Sequence, residues 1–248
     1  MIDNPWFYAV ALPCVILTGI SKAGLGIAGG IAVPILALAI SPIQAAAIML
    51  PILLVMDVVS VYIYRREWSR EHMRIILPAG VLGTLIGWAT FSFLDEHSLR
   101  ILLGLISIGF VAQSWISKQP PDPTPRFKKG FFWGTISGLT SFVAHSGSPP
   151  LFVYLLPLRL PKAIHVGTTV IFFAVINAMK IVPYFTLGLI DATNMTTAAV
   201  LLPLIPIGIV LGIWIQRKLS TIWFFRLAYS LLLCTGAKLL YDGLMHSL

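Results

Sequence analysis

The sequence predicts an all-α polytopic membrane protein made of two inverted-topology repeats. Each repeat is a broken-helix hairpin plus three transmembrane helices, roughly 8–10 membrane helices in total. Three observations lead there. Of 248 residues, 58% are hydrophobic and 10% charged, where a soluble domain has about 45–50% and about 25%, and the mean hydropathy is +0.92. Six apolar runs have the length of a membrane span, and two further runs are interrupted by glycine and proline. The second half repeats features of the first with its loop charges reversed. Composition excludes a soluble enzyme, a disordered chain and a collagen-like chain. A barrel would show short alternating segments of about ten residues, and these runs are long and unbroken.

The elements follow in order. Met1-Ile2-Asp3-Asn4-Pro5 lacks the basic start of a cleavable signal, so the apolar stretch after it is read as part of the bundle. Residues 6–40 carry Gly24, Gly26, Gly29, Gly30 and Pro34. As one helix they would extend about 50 Å, against a hydrocarbon core of about 30 Å. Glycine and proline at that density break helices, so the run folds as a hairpin, either spanning or re-entrant. Spans follow at 43–64, 74–94 and 99–117. Residues 118–130, with Pro120-Pro121-Asp122-Pro123-Thr124-Pro125, form a stiff polar linker. Residues 131–158 contain Gly138, Gly147, Pro149, Pro150 and Pro157 and form the second hairpin. Spans at 163–185, 196–215 and 222–241 complete the chain. The repeats are thus 1–117 and 131–248.

A shift of 119 residues lays Gly19 on Gly138, Leu36 on Leu155 and Pro42 on Pro161. A shift of 125 lays Pro78, Gly83 and Gly87 on Pro203, Gly208 and Gly212, and a shift of 126 lays Arg100 on Arg226. Thirteen of the 17 basic residues fall in four places: 65–74, the linker, the turn 159–162 and 217–226. Basic loops face the cytoplasm, which puts both termini outside. Basic 65–74 then corresponds to acidic 186–195, and acidic 95–98 to basic 217–225. Similar sequence with opposite charge bias is the mark of an inverted repeat. The net charge of +8 therefore speaks of membrane orientation and not of nucleic acid. Cys14 and Cys234 lie in apolar runs and form no CxxC, so both read as small apolar residues. No metal site and no cofactor is expected.

Broken helices in inverted repeats place a binding site near the bilayer midplane, because freed N–H groups and half-helix N-termini favour anions there. The first break supplies Lys22, Gly24, Gly26, Gly29 and Gly30. The second supplies His145, Ser146, Gly147 and Ser148. Pro149-Pro150 suits the first turn of a returning helix. Ionisable residues inside a membrane are costly and mark function. Lys22 is expected to meet an anion, with snorkelling to the outer surface as the alternative, and a structural salt bridge, to Lys22 for one, is the alternative for Asp57. Asp57 and His145 are the proton-coupling candidates. Asn177 is the repeat partner of Asp57 at an offset of 120. Gln44, Thr168 and Thr169 are candidate donors to substrate oxygens, with helix–helix contacts as the alternative. Lys180, one turn beyond Asn177, is expected to line the outer path or to snorkel.

The Gly24–Gly30 block followed by Val33-Pro34, the stretch from Pro42 to Met49, Ala144-His145-Ser146-Gly147-Ser148-Pro149-Pro150 and Val166-Gly167-Thr168-Thr169 together resemble the TauE/SafE sulfite exporter family, also called the toluene-sulfonate uptake permeases. Ala28 and Ser148 stand where that family commonly has glycine. The resemblance covers nearly the whole chain. It implies a bacterial inner-membrane transporter of small sulfur-containing anions such as sulfite, sulfoacetate or thiosulfate. The expected function is a secondary transporter, an exporter by that resemblance, binding its anion between the two hairpins and coupled to protons. A passive anion channel is the alternative. An intramembrane enzyme is disfavoured, since no HExxH, CxxC or GxSxG occurs. Lipid and a small anion are the expected partners, with homo-oligomerisation left open.

Overall fold

The structure, a computed structural model, describes residues 1–20, 22, 32–91, 93, 95–116, 126–218 and 221–245. These residues are helical throughout their regular structure. The helices are α1 (Pro5–Ile20), α2 (Ala32–Leu36), α3 (Pro42–Tyr64), α4 (Arg70–Phe91), α5 (Glu96–Ile116), α6 (Phe127–Ala144), α7 (Ser148–Leu155), α8 (Lys162–Met179), α9 (Ile181–Thr186), α10 (Ala192–Leu201), α11 (Leu204–Lys218) and α12 (Thr221–Met245).

Local chemistry sets the ends. Ser41 caps α3 by accepting the Gln44 N–H at 3.2 Å, and Pro42 occupies the first position. Asp191 caps α10 through the Asn194 N–H at 2.8 Å. The acidic loop supplies the cap of α5. Asp95 accepts from the Ser98 N–H and side chain, which holds its carboxyl below the usual range.

Pro42–Tyr64, Arg70–Phe91 and Ala163–Thr186 are long and apolar enough to cross a bilayer, and Ala192–Leu201 with Leu204–Leu211 makes a fourth span bent by 46°. The span expected at 196–215 is therefore broken, and Pro203 marks the break. The span expected at 163–185 is met by Ala163–Thr186, with a one-residue irregularity at Lys180 between α8 and α9. The second hairpin returns through α7 and a short 3-10 turn, Leu156–Leu158. These eleven residues rise about 18 Å at most, short of the about 30 Å core, so this hairpin is re-entrant.

Long apolar side chains point outward on α3 (Val55, Val58, Val59, Tyr62, Ile63) and α4 (Leu82, Leu85, Ile86), while Thr18, Asp57, Thr84, His145, Asn177 and Lys180 are buried. That inside-out distribution suits a lipid solvent, where apolar contact between helices gains nothing over contact with acyl chains and small residues make the seams. α4 lies against α6: a Cβ on Gly138 would sit 2.0 Å from the Gly80 carbonyl oxygen, and one on Gly83 1.9 Å from that of Thr135. α1 meets α11 the same way at Gly19 and Gly208, where an added Cβ would reach main chain at 3.0 Å. α5 meets α12 at Gly104 and Gly236.

The directions of these pairs follow from their contacts. Along α4 and α6, Ile76 lies by Gly134, Gly80 by Gly138 and Gly87 by Phe142, so the two run parallel. Along α5 and α12, Ile101 lies by Gly243 and Gly104 by Gly236, so they run antiparallel. α3 and α8 are antiparallel too, with Glu67 beside Gly167 and Asp57 beside Asn177.

Candidate functional site

The site grows from the second hairpin. α6 ends because His145 adopts a left-handed conformation, φ 51, and donates its N–H to the Ser141 carbonyl. Histidine is among the few non-glycine residues enriched there. Gly147 follows where a Cβ would lie 2.6 Å from the Ser137 oxygen and 2.7 Å from the Phe173 ring. The Ser137 hydroxyl donates to the Gly147 carbonyl at 2.7 Å, which ties the turn back to α6. Pro149 and Pro150 open α7, where no N–H partner is needed.

The turn brings His145 against α8, and a buried polar chain results. Lys22, beyond the end of α1, is ion-paired with Asp57 Oδ1 on α3. Asp57 Oδ2 accepts from Asn177 Nδ2 at 2.7 Å. Lys180 Nζ donates to Asn177 Oδ1 (3.0 Å), Ser141 O (2.6 Å), Ser141 Oγ (2.7 Å) and His145 Nδ1 (3.0 Å). His145 Nε2 meets the Ala46 carbonyl at 3.0 Å.

Donors and acceptors fix part of the hydrogen-bond pattern. A carboxylate only accepts, so the Asn177 amide turns its NH₂ to Asp57 and its oxygen to Lys180. A carbonyl only accepts, so His145 Nε2 carries the hydrogen and Nδ1 presents its lone pair. Lys180 faces two acceptors that have no other donor among the described residues, His145 Nδ1 and Asn177 Oδ1, because the Ser141 carbonyl also receives the His145 N–H and the Ser141 hydroxyl can donate as well as accept. Among the described residues this network joins two lysines to one carboxyl group. The undescribed residues 23–31 of the first break have no titratable side chain.

A pocket opens beside this chain. It is lined by Lys22, Asp57, Ser141, His145, Ser148 and Asn177 with Leu53, Phe152, His165, Val166, Thr169, Val170 and Phe173, and has about 60 Å³ of room for water-sized groups. That is space for several waters, at about 10–15 Å³ each, or for one small anion. The lining runs along α8 from His165, half-exposed, to Asn177, buried, roughly 18 Å at 1.5 Å per residue. At the far end the aromatic series Phe91, Phe142, Tyr184 and His145 covers the polar chain, with edge-to-face contacts of 5.6 Å and 5.4 Å between the first three. The Tyr184 hydroxyl donates to the Phe142 carbonyl at 2.8 Å.

Of the residues singled out from sequence, Lys22, Asp57, His145, Ser148, Thr169 and Asn177 come together on the pocket. Ser146 is buried in the turn and donates to the Ala144 carbonyl. Gly147 shapes the turn without lining the pocket. Thr168 points away from it, donating to the Ile164 carbonyl and accepting the Ser69 N–H at 2.9 Å. The Val166-Gly167-Thr168-Thr169 motif therefore faces two ways. Val166 and Thr169 line the pocket, while Thr168 and Gly167, where a Cβ would sit 1.7 Å from the Glu67 oxygen, clamp the basic loop. Gln44 lies in the first turn of α3, about 20 Å along the helix from Asp57. Gly24, Gly26, Gly29 and Gly30 lie outside the described residues.

Lys180 neither snorkels nor lines an outer path: it is fully buried and forms the centre of the network. Ser141 escaped the sequence reading altogether. Its signal was available, since a shift of 119 places it on Lys22. Asp57 and Asn177, paired by the repeat, are bonded to each other in space.

Long apolar helices around a re-entrant hairpin, with ionisable side chains enclosed between them, define a polytopic helical membrane protein. The chain belongs to the TauE/SafE sulfite exporter family, whose model matches residues 11–239. That is a family of transporters for sulfur-containing anions. No curated protein and no solved structure is detectably similar to the chain.

Proposed function

We propose that the chain is a secondary transporter that exports a small sulfur-containing anion, sulfite or an organosulfonate such as sulfoacetate, across the bacterial inner membrane by alternating access. The observation that carries this reading is Lys22 on the wall of the pocket, partly open to it and paired with a single carboxylate. An ammonium so placed can exchange its carboxylate for an anion of matching size. Lys22 holds the anion by charge, and Ser148 and Thr169 offer it hydroxyl groups. Lys180 and His145 shape and polarise the wall from behind.

Two inverted repeats joined by the 118–130 linker supply the moving parts. In support, helices that the repeat equates, α3 with α8 and α5 with α12, pack antiparallel on one another, and α4 against α6 has its counterpart in α11 against α1. With basic loops inside and both termini in the periplasm, the His165 end of the pocket faces the cytoplasm and the aromatic series closes the periplasmic side.

Counterflow in proteoliposomes tests the proposal. Unlabelled sulfite or sulfoacetate inside should accelerate uptake of labelled anion. Flux without that acceleration would make the protein a channel. Reporter tags after Arg66 and after Lys218 should both report the cytoplasm, and opposite sides would end the inverted-repeat reading.

A further inference from the structure

We propose that the groove between α3 and α8 on the outer face of the bundle binds one anionic phospholipid, its phosphate on Arg65 and an acyl chain running along the groove toward Asp57. This lipid site does not depend on which solute the pocket carries. The groove has a volume of about 500 Å³ and is lined by Leu54, Val58, Val61 and Tyr62 of α3 and by Ala174 and Ala178 of α8, with Arg65 at one end. Val58, Tyr62, Arg65 and Ala178 are exposed, so the groove opens outward, where the solvent is lipid.

The sequence builds the groove simply. Ala174 and Ala178 stand four residues apart on one face of α8. With no side chain beyond Cβ they leave a trough where α8 passes α3. The larger side chains of α3 form its other bank. Left empty inside a bilayer, such a trough would forfeit dispersion contacts along its whole length.

Its length matches one leaflet. α3 is long and apolar enough to cross the bilayer and ends at Tyr64, which puts Arg65 at the level of the headgroups. From Arg65 back to Leu54 the rise is about 16 Å at 1.5 Å per residue. One leaflet contributes about 15 Å to a hydrocarbon core of about 30 Å. The groove therefore runs from the headgroups to the midplane.

Polar contact is concentrated at the outer end. The Arg65 guanidinium lies 4.3 Å from the centre of the Tyr62 ring and donates one N–H to the Tyr62 carbonyl at 3.1 Å. These two contacts fix it beside the groove, and among the described residues it pairs with no carboxylate. Its other N–H groups are open to an anion, and their fork matches the oxygens of a phosphate. The run Arg65-Arg66-Glu67 is net positive, which favours an anionic headgroup over a zwitterionic one. At the deep end Asp57 gives one oxygen to Lys22 and the other to Asn177, so a lipid meets no open acceptor there. Charge above an apolar trough is the pattern of a phospholipid. Because Asp57 lines the pocket as well as the groove, the bound chain lies on the far side of the pocket wall.

Native mass spectrometry of the purified full chain tests the site, with phosphatidylglycerol or phosphatidylcholine titrated into delipidated protein in detergent. One phosphatidylglycerol should bind in preference to phosphatidylcholine. Arg65→Ala should weaken that binding about fivefold, the effect of one arginine at a membrane surface. Ala178→Trp fills the groove while leaving Arg65 in place, and should weaken the binding of both lipids. Lys238→Ala, a basic side chain on α12, should leave binding unchanged. Soluble glycerol phosphate should displace no lipid.

Equal binding of the two lipids by the wild type, or unchanged phosphatidylglycerol binding in Arg65→Ala or in Ala178→Trp, would each overturn the site. Displacement by glycerol phosphate would leave Arg65 a phosphate contact and remove the groove from the account. A dimer that Ala178→Trp takes apart would assign the face to a second copy of the chain instead. The wild-type comparison needs no variant to fold, and none of these outcomes bears on the counterflow that tests the pocket.

Discussion

Lys22 and Lys180 lie in the same network and are stabilised in opposite ways. Lys22 has a side chain 14% exposed to the pocket and is neutralised by one carboxylate, with the Leu53 carbonyl at 3.4 Å as its second partner. Lys180 is 0% exposed and is surrounded by neutral acceptors: a carbonyl, a hydroxyl, an imidazole nitrogen and an amide oxygen. A charge held by a carboxylate at a pocket wall can exchange that partner for a ligand. An amine wrapped in neutral dipoles has no such partner to exchange, and turning it away orphans His145 Nδ1 and Asn177 Oδ1. Lys22 is therefore the amine that the proposed anion site draws on, and Lys180 is committed to the wall behind it.

The contrast can be broken most sharply at Lys180. Lys180→Met orphans two buried acceptors, His145 Nδ1 and Asn177 Oδ1, each costing about 1–3 kcal/mol. It should lower the thermal unfolding temperature in detergent more than any other single change in the site, and retention of wild-type stability would refute the enclosed-lysine reading. Lys22→Ala should cost less, about 2 kcal/mol. That is below the about 3–5 kcal/mol of a fully enclosed pair, because the side chain is partly open and Asp57 keeps Asn177. Its signature is functional: stabilisation by sulfur anions, read as a thermal shift, should vanish. Ser141→Ala removes one of four acceptors around Lys180 and leaves three, so a loss of about 0.5–1.5 kcal/mol is expected, with anion-dependent stabilisation retained. Lys238 supplies the lower bound. It pairs with Asp242 one turn on, at 2.6 Å, with its side chain 60% exposed, and Lys238→Ala should change stability by less than about 0.5 kcal/mol.

The spans were legible because hydropathy over about 20 residues is a strong signal. The expected 43–64 and 99–117 differ from α3 and α5 by three residues or fewer at either end. The break at Leu202–Pro203 was visible as a proline but was read through, since one proline in an apolar run does not distinguish a kink from a break. The irregularity at Lys180, inside a span that runs through it, had a weaker signal still: Pro183 lies in the first turn of α9.

In the site, charge inside an apolar run pointed to Lys22, Asp57 and His145, and the repeat offset paired Asp57 with Asn177. The face that a helix turns toward its neighbours is less readable in an all-apolar sequence, where no amphipathic stripe fixes rotation. That is why Thr168 and Thr169 could not be separated, and why Lys180, four residues from the next turn of the chain, passed for a snorkelling side chain. Ser141 is short and common in membrane helices, and nothing but its place opposite Lys22 in the repeat distinguishes it.

The glycine seams have a mechanical consequence. Where α4 lies on α6, main chain rests on main chain at Gly80, Gly83 and Gly138, with Phe142 seated on Gly87 farther along. Interlocked side chains resist sliding because each must change rotamer to move. At the glycine stretch of this seam such catches are few, so the long arm of the hairpin meets less resistance there than a leucine-lined contact would offer.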